Sequence, residues 1–395
     1  MGAATLRLPT RGHTKTTVFL YTDGMKWRLA LCCFLSAAAL SAVAQQEYRV
    51  TVLHSFRVPF SRSYGWGIGG GQQVGDSNNL RSGGSSHALL WSGTPESLVD
   101  LHPAGWDASF ATDVAGGWQS GYLERLSPEY FQRAVMWNGS RESMVMLHPQ
   151  GWVSSAALGI SLSDQVGDGR PPDKGPLVRH AVRWQGTPES MVDLHPKGYI
   201  NSWAVDTDGE VQVGTASLIQ GVRPALWRGT AGSFVNLLPA GYSGGEATGA
   251  AGGQQVGYAG RNGQMRPMLW FGSPDRFVDL GPGSIGGQAL DTNGTQQVGW
   301  VSLAGAQRAA TWWGSAESYF DLHRFLPAQF QGQGAFSLAH AIDVEGNIIG
   351  YAEDLLDQNR GKAVMWSPVF EPGTVVGLSA FLALLASRRR RAKVN

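Results

Sequence analysis

Between residues 48 and 367 short apolar runs alternate with polar turns, and the alternation recurs along the chain. A tryptophan closes an apolar run at Trp91, Trp137, Trp184, Trp227, Trp270, Trp312 and Trp366, at spacings of 46, 47, 43, 43, 42 and 54 residues. A second marker is a glycine at Gly75, Gly121, Gly167, Gly214, Gly257, Gly299 and Gly350, usually inside Gln-Val-Gly. One unit reads HAVRW (180–184), the turn QGTPES, MVDLHP (191–196), the turn KGY, then NSWAVDTDGEVQVGTA (201–216). Runs this short, rich in Val, Trp and aliphatics and bounded by Gly, Pro, Asn or Asp, predict about four strands per unit.

Ten residues before each marker glycine sits a small residue: Gly65, Ala111, Ala157, Ala204, Ala247 and Ala289, with Ala341 displaced by one place in the last unit. A hydrogen or methyl at a fixed point marks a close approach of backbones or sheets. The segments Asp206-Thr207-Asp208-Gly209, Asp291-Thr292-Asn293-Gly294 and Asp343-Val344-Glu345-Gly346 then read as hairpin turns, with Asp or Asn making side-chain turn bonds and Gly supplying positive φ. They do not read as calcium loops: one starting at Asp206 would place Ser217 where the bidentate glutamate belongs.

The phase of the repeat at its two ends separates a ring from an open stack. RVTVLHSF (49–56) matches MVDLHP and precedes the marker Gly75, but no Trp strand stands before it. KAVMW (362–366) supplies that missing strand after the last marker. A solenoid has no use for complementary fragments at its ends, whereas a propeller closes by placing both termini in one blade. Six complete units and one split unit predict an all-β, seven-bladed β-propeller.

Composition supports short strands and turns: 395 residues with 54 Gly, 15 Trp and only 15% charged side chains are too aromatic for a disordered chain and too glycine-rich for a helical one. The formal charge of +1 is uneven. Five basic residues lie at or before Arg28 and five at or after Arg388, leaving residues 45–368 with 21 basic against 28 acidic side chains. An acidic body argues against nucleic acid as a partner.

Both cysteines, Cys32 and Cys33, fall in the apolar run 29–44, preceded by Met25-Lys26-Trp27-Arg28 and ending in Ala42-Val43-Ala44 before Gln45. A basic start, an apolar stretch and a small-x-small end predict a secretory signal peptide over 25–44, cleaved by signal peptidase between Ala44 and Gln45. Residues 1–24 do not fit that anatomy and read as an extension upstream of a start at Met25. The mature chain then has no cysteine, so its own core must hold it together. At the other end, Val369-Phe370-Glu371-Pro372-Gly373-Thr374 leads into the apolar run 375–386 and then Arg388, Arg389, Arg390 and Arg391. The run predicts a short transmembrane helix, and the basic cluster holds its end in the cytoplasm with the body outside. The segment 369–395 resembles the PEP-CTERM sorting signal of Gram-negative bacteria, with Glu371, Pro372, Gly373 and Thr374 as that family has them and Phe370 in place of its first proline. The resemblance implies an exosortase-type sorting enzyme as a partner, and a protein that is membrane-anchored during sorting and then reaches the cell surface or the extracellular space.

The repeat body, 45–368, resembles the HAF-type extracellular repeat. His87-Ala88-Leu89 and His180-Ala181-Val182 carry its start, and Ala341-Ile342-Asp343-Val344-Glu345-Gly346-Asn347-Ile348-Ile349-Gly350 carries its ending. This implies an exported bacterial protein and brings no reaction and no catalytic residues with it. Two repeated series remain as candidate chemistry. His54, His102, His148, His195 and His323 end the second strand, and read as tips bonded to turn carbonyls, since equivalent positions on neighbouring blades stand too far apart to share a metal. Phe60, Trp106, Trp152, Tyr199 and Tyr242 lie fourteen residues before the residue preceding the marker glycine. Packed between blades they are core; on a loop they form an arc of flat faces for stacking against sugar rings. Asp100, Asp193, Asp279 and Asp321 are repeat positions, no triad, zinc motif or phosphate loop stands out, and no catalytic, cofactor or metal residue is assigned. The insertions 77–86, 124–132, 170–178 and 325–337 are where loops on one rim would build a site. These readings predict a surface or matrix binding module associated with exopolysaccharide. The alternative is a propeller enzyme, hydrolase or lyase, acting on polysaccharide.

Overall fold

The computed structural model describes residues 46–369, apart from 55–59, 80–84, 354–356, 358–360 and single positions at 128, 176, 304 and 333. The leading segment 1–24, the signal peptide with Ala42, Ala44 and Gln45, and the sorting segment from Phe370 onward all lie outside the described residues. Among the described residues no helix is long and apolar enough to cross a membrane.

The compact unit that begins at Tyr48 is made of seven four-stranded sheets. Blade 1 runs from its inner to its outer edge through Phe60–Gly69, Gln72–Asn79, Ser85–Trp91 and Val99–Asp100, and blades 2 to 6 repeat that order. Blade 7 takes Ser337–Ile342, Ile348–Glu353 and Gly361–Val369 from the C-terminal end and Glu47–Val52 from the N-terminal end. The expected pairing of residues 362–366 with the segment 50–53 is present, with the Leu53 amide donating to the Ala363 carbonyl at 2.9 Å. Each inner strand touches the inner strands of both neighbours, and that of blade 7 touches that of blade 1, so the ring is closed.

Each sequence marker has a physical cause. The seven repeat tryptophans are fully buried at the end of the third strand, and each fills the space toward the preceding blade. Trp184 of blade 3, for example, packs with Ala134, Met136 and Leu147 of blade 2. The marker glycine lies where the second strand presses on the first: a methyl at Gly214 would overlap the carbonyl oxygen of Trp203, and the other six meet the same obstacle. The glutamine two places before the marker glycine ties its strand to the turn after the tryptophan. In blades 1 to 6 its Oε1 accepts the amide of the following turn glycine, as Gln212 does from Gly229 at 2.7 Å.

Register corrects one expectation. The small residues paired with the marker glycines are Gly65, Ala111, Ala157, Ala204, Ala247, Ala289 and, in blade 7, Ala339 rather than Ala341. The hairpin of blade 7 is one residue longer, so its small residue lies one place further back than counting from Gly350 implies. For the same reason Asp343 is not the counterpart of Asp206 and Asp291: it is a turn residue whose carboxylate accepts the amides of Glu345 and Asn347.

The repeated histidines fasten one blade to the next. Nδ1 of His102, His148, His195 and His323 lies 2.7 to 2.9 Å from Oγ of Ser109, Ser155, Ser202 and Ser337 on the next inner strand, and His54 pairs with Ser63 at 3.0 Å. The same serine oxygen accepts a backbone amide from the preceding blade, such as that of Ala134 at Ser155 (3.0 Å). At His195 the other ring nitrogen donates to the Tyr199 carbonyl at 3.1 Å, the turn contact expected of these tips. A carbonyl only accepts, so the proton sits on Nε2 and the Ser202 hydroxyl donates to Nδ1. Where Leu238 and Gly281 replace the histidine, the serine is also replaced, by Gly245 and Gly287.

Burial pulls His54 and His148 down to about 4, helped by the charges of Lys362 and Arg133 respectively. A depressed folded pKa means that the folded state binds fewer protons than the unfolded one. The stability these histidines provide is therefore complete above about pH 6.5 and is lost as the pH falls through the range to 4. The expected result is a midpoint of thermal unfolding that drops over this interval. His148→Gln should reduce the slope of that drop by about one proton, measured by calorimetry against pH; an unchanged slope would separate the clasp from acid sensitivity.

Candidate ligand site on the propeller axis

Strands within a blade alternate in direction, so every loop from second to third strand opens on the same rim as every link to the next blade. That single rim therefore carries the described parts of all four insertions and the aromatic series that follows the Pro-x-Gly turns.

In every inner strand the pairing slips by one residue just after the small residue. The slip re-aims one side chain per blade toward the axis: Trp66, Thr112, Leu158, Val205, Thr248, Leu290 and His340. Unlike the markers, this position changes from blade to blade. Toward the loop-bearing rim, Tyr64 stands opposite Asp76 in blade 1, and Phe110 opposite Tyr122 in blade 2. Together these residues line an axial cavity of about 560 Å³.

Two pairs of stacked rings form one side of it. Tyr64 and Trp66 lie 5.7 Å apart at 24°, and Phe110 and Tyr122 lie 4.8 Å apart at 21°. Tyr351 meets Tyr64 edge-on at 4.9 Å, and His340 meets Trp66 edge-on at 4.9 Å. The Trp66 indole N–H donates to the buried carboxyl of Asp76. Burial pushes that carboxyl up to about 6, against the opposing effects of the Trp66 bond and the Arg62 charge. His340 Nδ1 lies 2.7 Å from the Trp66 carbonyl, so Nδ1 carries the proton and Nε2 keeps a free lone pair. Burial pulls His340 down to about 4, leaving it neutral at pH 7.

Below this cavity is a throat of about 70 Å³ bordered by Asp113, Asp206 and Asp291. Each carboxylate accepts the next amide of its own strand and one amide of the following blade: Ile160 for Asp113 (3.0 Å), Ala250 for Asp206 (2.7 Å) and Ile342 for Asp291 (2.8 Å). Burial is the main force raising all three pKa values, and repulsion between the acids adds to it at Asp113 and Asp291. The register-equivalent residues of blades 1, 3, 5 and 7 are Gly67, Gly159, Gly249 and Ala341. A methyl at Gly159 would strike the backbone of Asp206, so the glycines make room for the acids. With their oxygens turned to backbone amides the acids fasten blades together. Among the described residues no three His, Cys, Asp or Glu side chains form a metal ligand set.

On blades 2 and 3 the insertions add a polar network. Arg179 pairs with the buried Asp168 and reaches Gln132 (3.3 Å), which with Tyr130 donates to Glu124 (3.1 and 2.8 Å). A second depression of about 440 Å³ between blades 2 and 3 is lined by Trp118, Met136, Leu162 and neutral polar groups, with no titratable side chain.

The aromatic series read from the repeat, as inter-blade core or as a stacking arc, lies away from this cavity. Trp106, Trp152, Tyr199 and Tyr242 are partly buried against the inter-blade clusters that hold Trp137, Trp184, Trp227 and Trp270. Arg125 and Arg261 sit over the rings of Trp106 and Tyr242 at 5.5 and 5.4 Å. Phe60 opens the inner strand of blade 1, and its side chain lies outside the described residues. None of the four described aromatics lines the axial cavity. Reading the repeat missed Tyr64, Trp66, Asp76, Phe110, Tyr122 and His340. The signal that finds them is variation at fixed places: the residue after each marker glycine, and the residues on either side of each small partner.

No protein-family model matches the chain, and no curated protein matches it in sequence. Solved propellers do match in shape. The β-propeller domain of the Trilobed protease from Pyrococcus furiosus, which has an open velcro topology, is 10% identical with a TM-score of 0.49, over 78% of this chain and 94% of that one. Acylaminoacyl peptidase from Pyrococcus horikoshii is 9% identical with a TM-score of 0.49, over 81% and 54% respectively. A puromycin hydrolase variant is 12% identical with a TM-score of 0.51, over 77% and 53%. The chain thus spans little more than half of either enzyme, and at these identities the likeness is one of fold alone.

Proposed function

We propose that the chain is an exported glycan-binding propeller whose ligand enters the axial cavity from the loop-bearing rim. The observation that carries this reading is the cavity itself, where the stacked rings of Tyr64, Trp66, Phe110 and Tyr122 stand beside Asp76, Asn78 and Ser86. Sugar rings present apolar C–H faces edged by hydroxyls. Flat aromatic faces next to a few hydrogen-bonding groups match that chemistry. Export through the signal at 25–44, and sorting by an exosortase-type enzyme at Glu371-Pro372-Gly373-Thr374 with the helix 375–386 and Arg388–Arg391, bring the body to the cell surface or matrix. The sequence pattern supports that route. Mass spectrometry of surface-fraction protein should find the chain ending near this motif; an intact end at Asn395 would leave a single-span membrane protein instead.

The test of binding is a glycan array probed with the purified protein and read for both retention and cleavage. Retention on exopolysaccharide-type glycans without cleavage is expected. Cleavage would move the reading to a polysaccharide hydrolase or lyase, and retention of none would remove it.

A further inference from the structure

The ionisable groups described around the axial cavity are also one-sided. Among the described residues lining it there is no lysine or arginine. The one basic side chain among those described residues, His340, has its Nδ1–H held by the Trp66 carbonyl, so Nε2 offers a lone pair rather than a proton. Asp76 lies beside four aromatic rings from blades 1 and 2, and three more carboxyl groups border the throat below. Aromatic faces are electron-rich and attract cations, and a neighbouring carboxylate adds a direct ionic partner. A uronic acid would instead meet the Asp76 carboxylate, with no lysine or arginine among the described lining residues to balance it.

We infer that the cavity selects the protonated amine of an amino sugar, taking the ammonium between Asp76 and the rings of Trp66 and Tyr122. This rests on the glycan reading above and narrows it to polysaccharides whose hexosamines carry free amines. The ammonium donates to the Asp76 carboxylate, while the sugar face packs on an aromatic ring and its hydroxyls find Asn78, Ser86 and the His340 lone pair. The charged and titratable groups around Asp76 are Arg62 and Tyr64 on the paired inner strand and Tyr122 on blade 2. Burial and nearby acids push Tyr122 up, so it stays neutral. Burial keeps part of Asp76 protonated near pH 6. Binding a cation must then displace that proton, and affinity weakens as the pH falls toward 5.

Titration calorimetry of the protein at pH 7 with glucosamine oligomers, their N-acetylated counterparts and uronic acid oligomers is the experiment. The free-amine oligomers should bind about tenfold or more tightly than the acetylated ones, and Asp76→Asn should remove that preference. Because Asp76→Asn also loses part of the Trp66 bond, a second measurement uses the unaltered protein. Oligomers of trimethylated glucosamine keep their charge at every pH and, with no N–H to donate, retain the ionic contact with Asp76 and the cation–π contact with the rings; near pH 6 their binding should release protons, seen as heats that depend on the buffer. Equal affinity for acetylated oligomers, a preference for uronates, or no proton release would overturn the ammonium site and leave glycan binding standing. Binding of tetramethylammonium with no glycan bound would keep the cation site and overturn the glycan reading. Binding of neither at millimolar concentration would overturn both.

Discussion

Replacing Trp184 by alanine is expected to cost about 3 to 5 kcal/mol of folding stability, read from denaturant unfolding. The indole is fully buried at the joint between blades 2 and 3, where Ala134, Met136 and Leu147 face Ala157 and Val182 across it. Its neighbours are small or belong to strands held in register on both sides, so the space left behind cannot close without moving a blade. A transfer loss and a cavity penalty therefore add. A cost below about 1 kcal/mol, usual for an exposed position, would show that the tryptophans do not hold the joints.

Removing residues 361–367 is expected to destroy the monomer. This stretch supplies nearly all of the third strand of blade 7, with Ile348–Glu353 on one side and the N-terminal strand Glu47–Val52 on the other. Its loss takes Trp366 from the joint with blade 6 and the buried Lys362, whose ammonium is held by Asp357 (2.8 Å) and the Ser61 carbonyl (3.2 Å). It also leaves the N-terminal strand with no sheet to join. Two unpaired edges in an otherwise closed ring invite pairing between molecules, and aggregation on size-exclusion chromatography is the expected outcome. Deleting 46–53 instead removes only an outer strand and should be milder. A shortened chain that stayed monomeric with an unchanged melting temperature would contradict closure by the two ends.

The sequence revealed the ring because its construction is repeated. Trp184, Gly214 and Gln212 solve the same steric or hydrogen-bonding problem in blade after blade, so each leaves a periodic trace. The split of blade 7 was legible for the same reason: residues 49–56 and 362–366 are complementary parts of one unit. The displaced partner Ala339 was not, because one extra hairpin residue shifts a count without changing any residue type. Nor was the serine half of the histidine clasp, which joins His148 to Ser155 across a blade boundary that the linear repeat does not mark. The site was hidden for a deeper reason. Trp66, Asp76 and Tyr122 occupy positions where the blades differ, and a search for what recurs passes over what departs. The recurring aromatics Trp106, Trp152, Tyr199 and Tyr242 drew attention to a place where packing, not the axis, accounts for their repetition.

The acids and glycines around the throat have a consequence of parity. Going round the ring the positions read Gly67, Asp113, Gly159, Asp206, Gly249, Asp291 and Ala341. Two kinds of residue can alternate without fault on a circle of six or eight places, never on seven. One boundary must join two residues of the same kind, and here it is Ala341 beside Gly67, next to His340 and Trp66. A chain built almost wholly of copies thus acquires one joint unlike all the others by arithmetic alone, and the aromatic pocket spans it, from His340 of blade 7 through Tyr64 and Trp66 to Phe110 and Tyr122 of blade 2. Adding or losing a neighbouring acid-and-glycine pair of blades would preserve the pattern with its single fault, whereas losing blade 1 or blade 7 alone would make the circle even and erase the distinction.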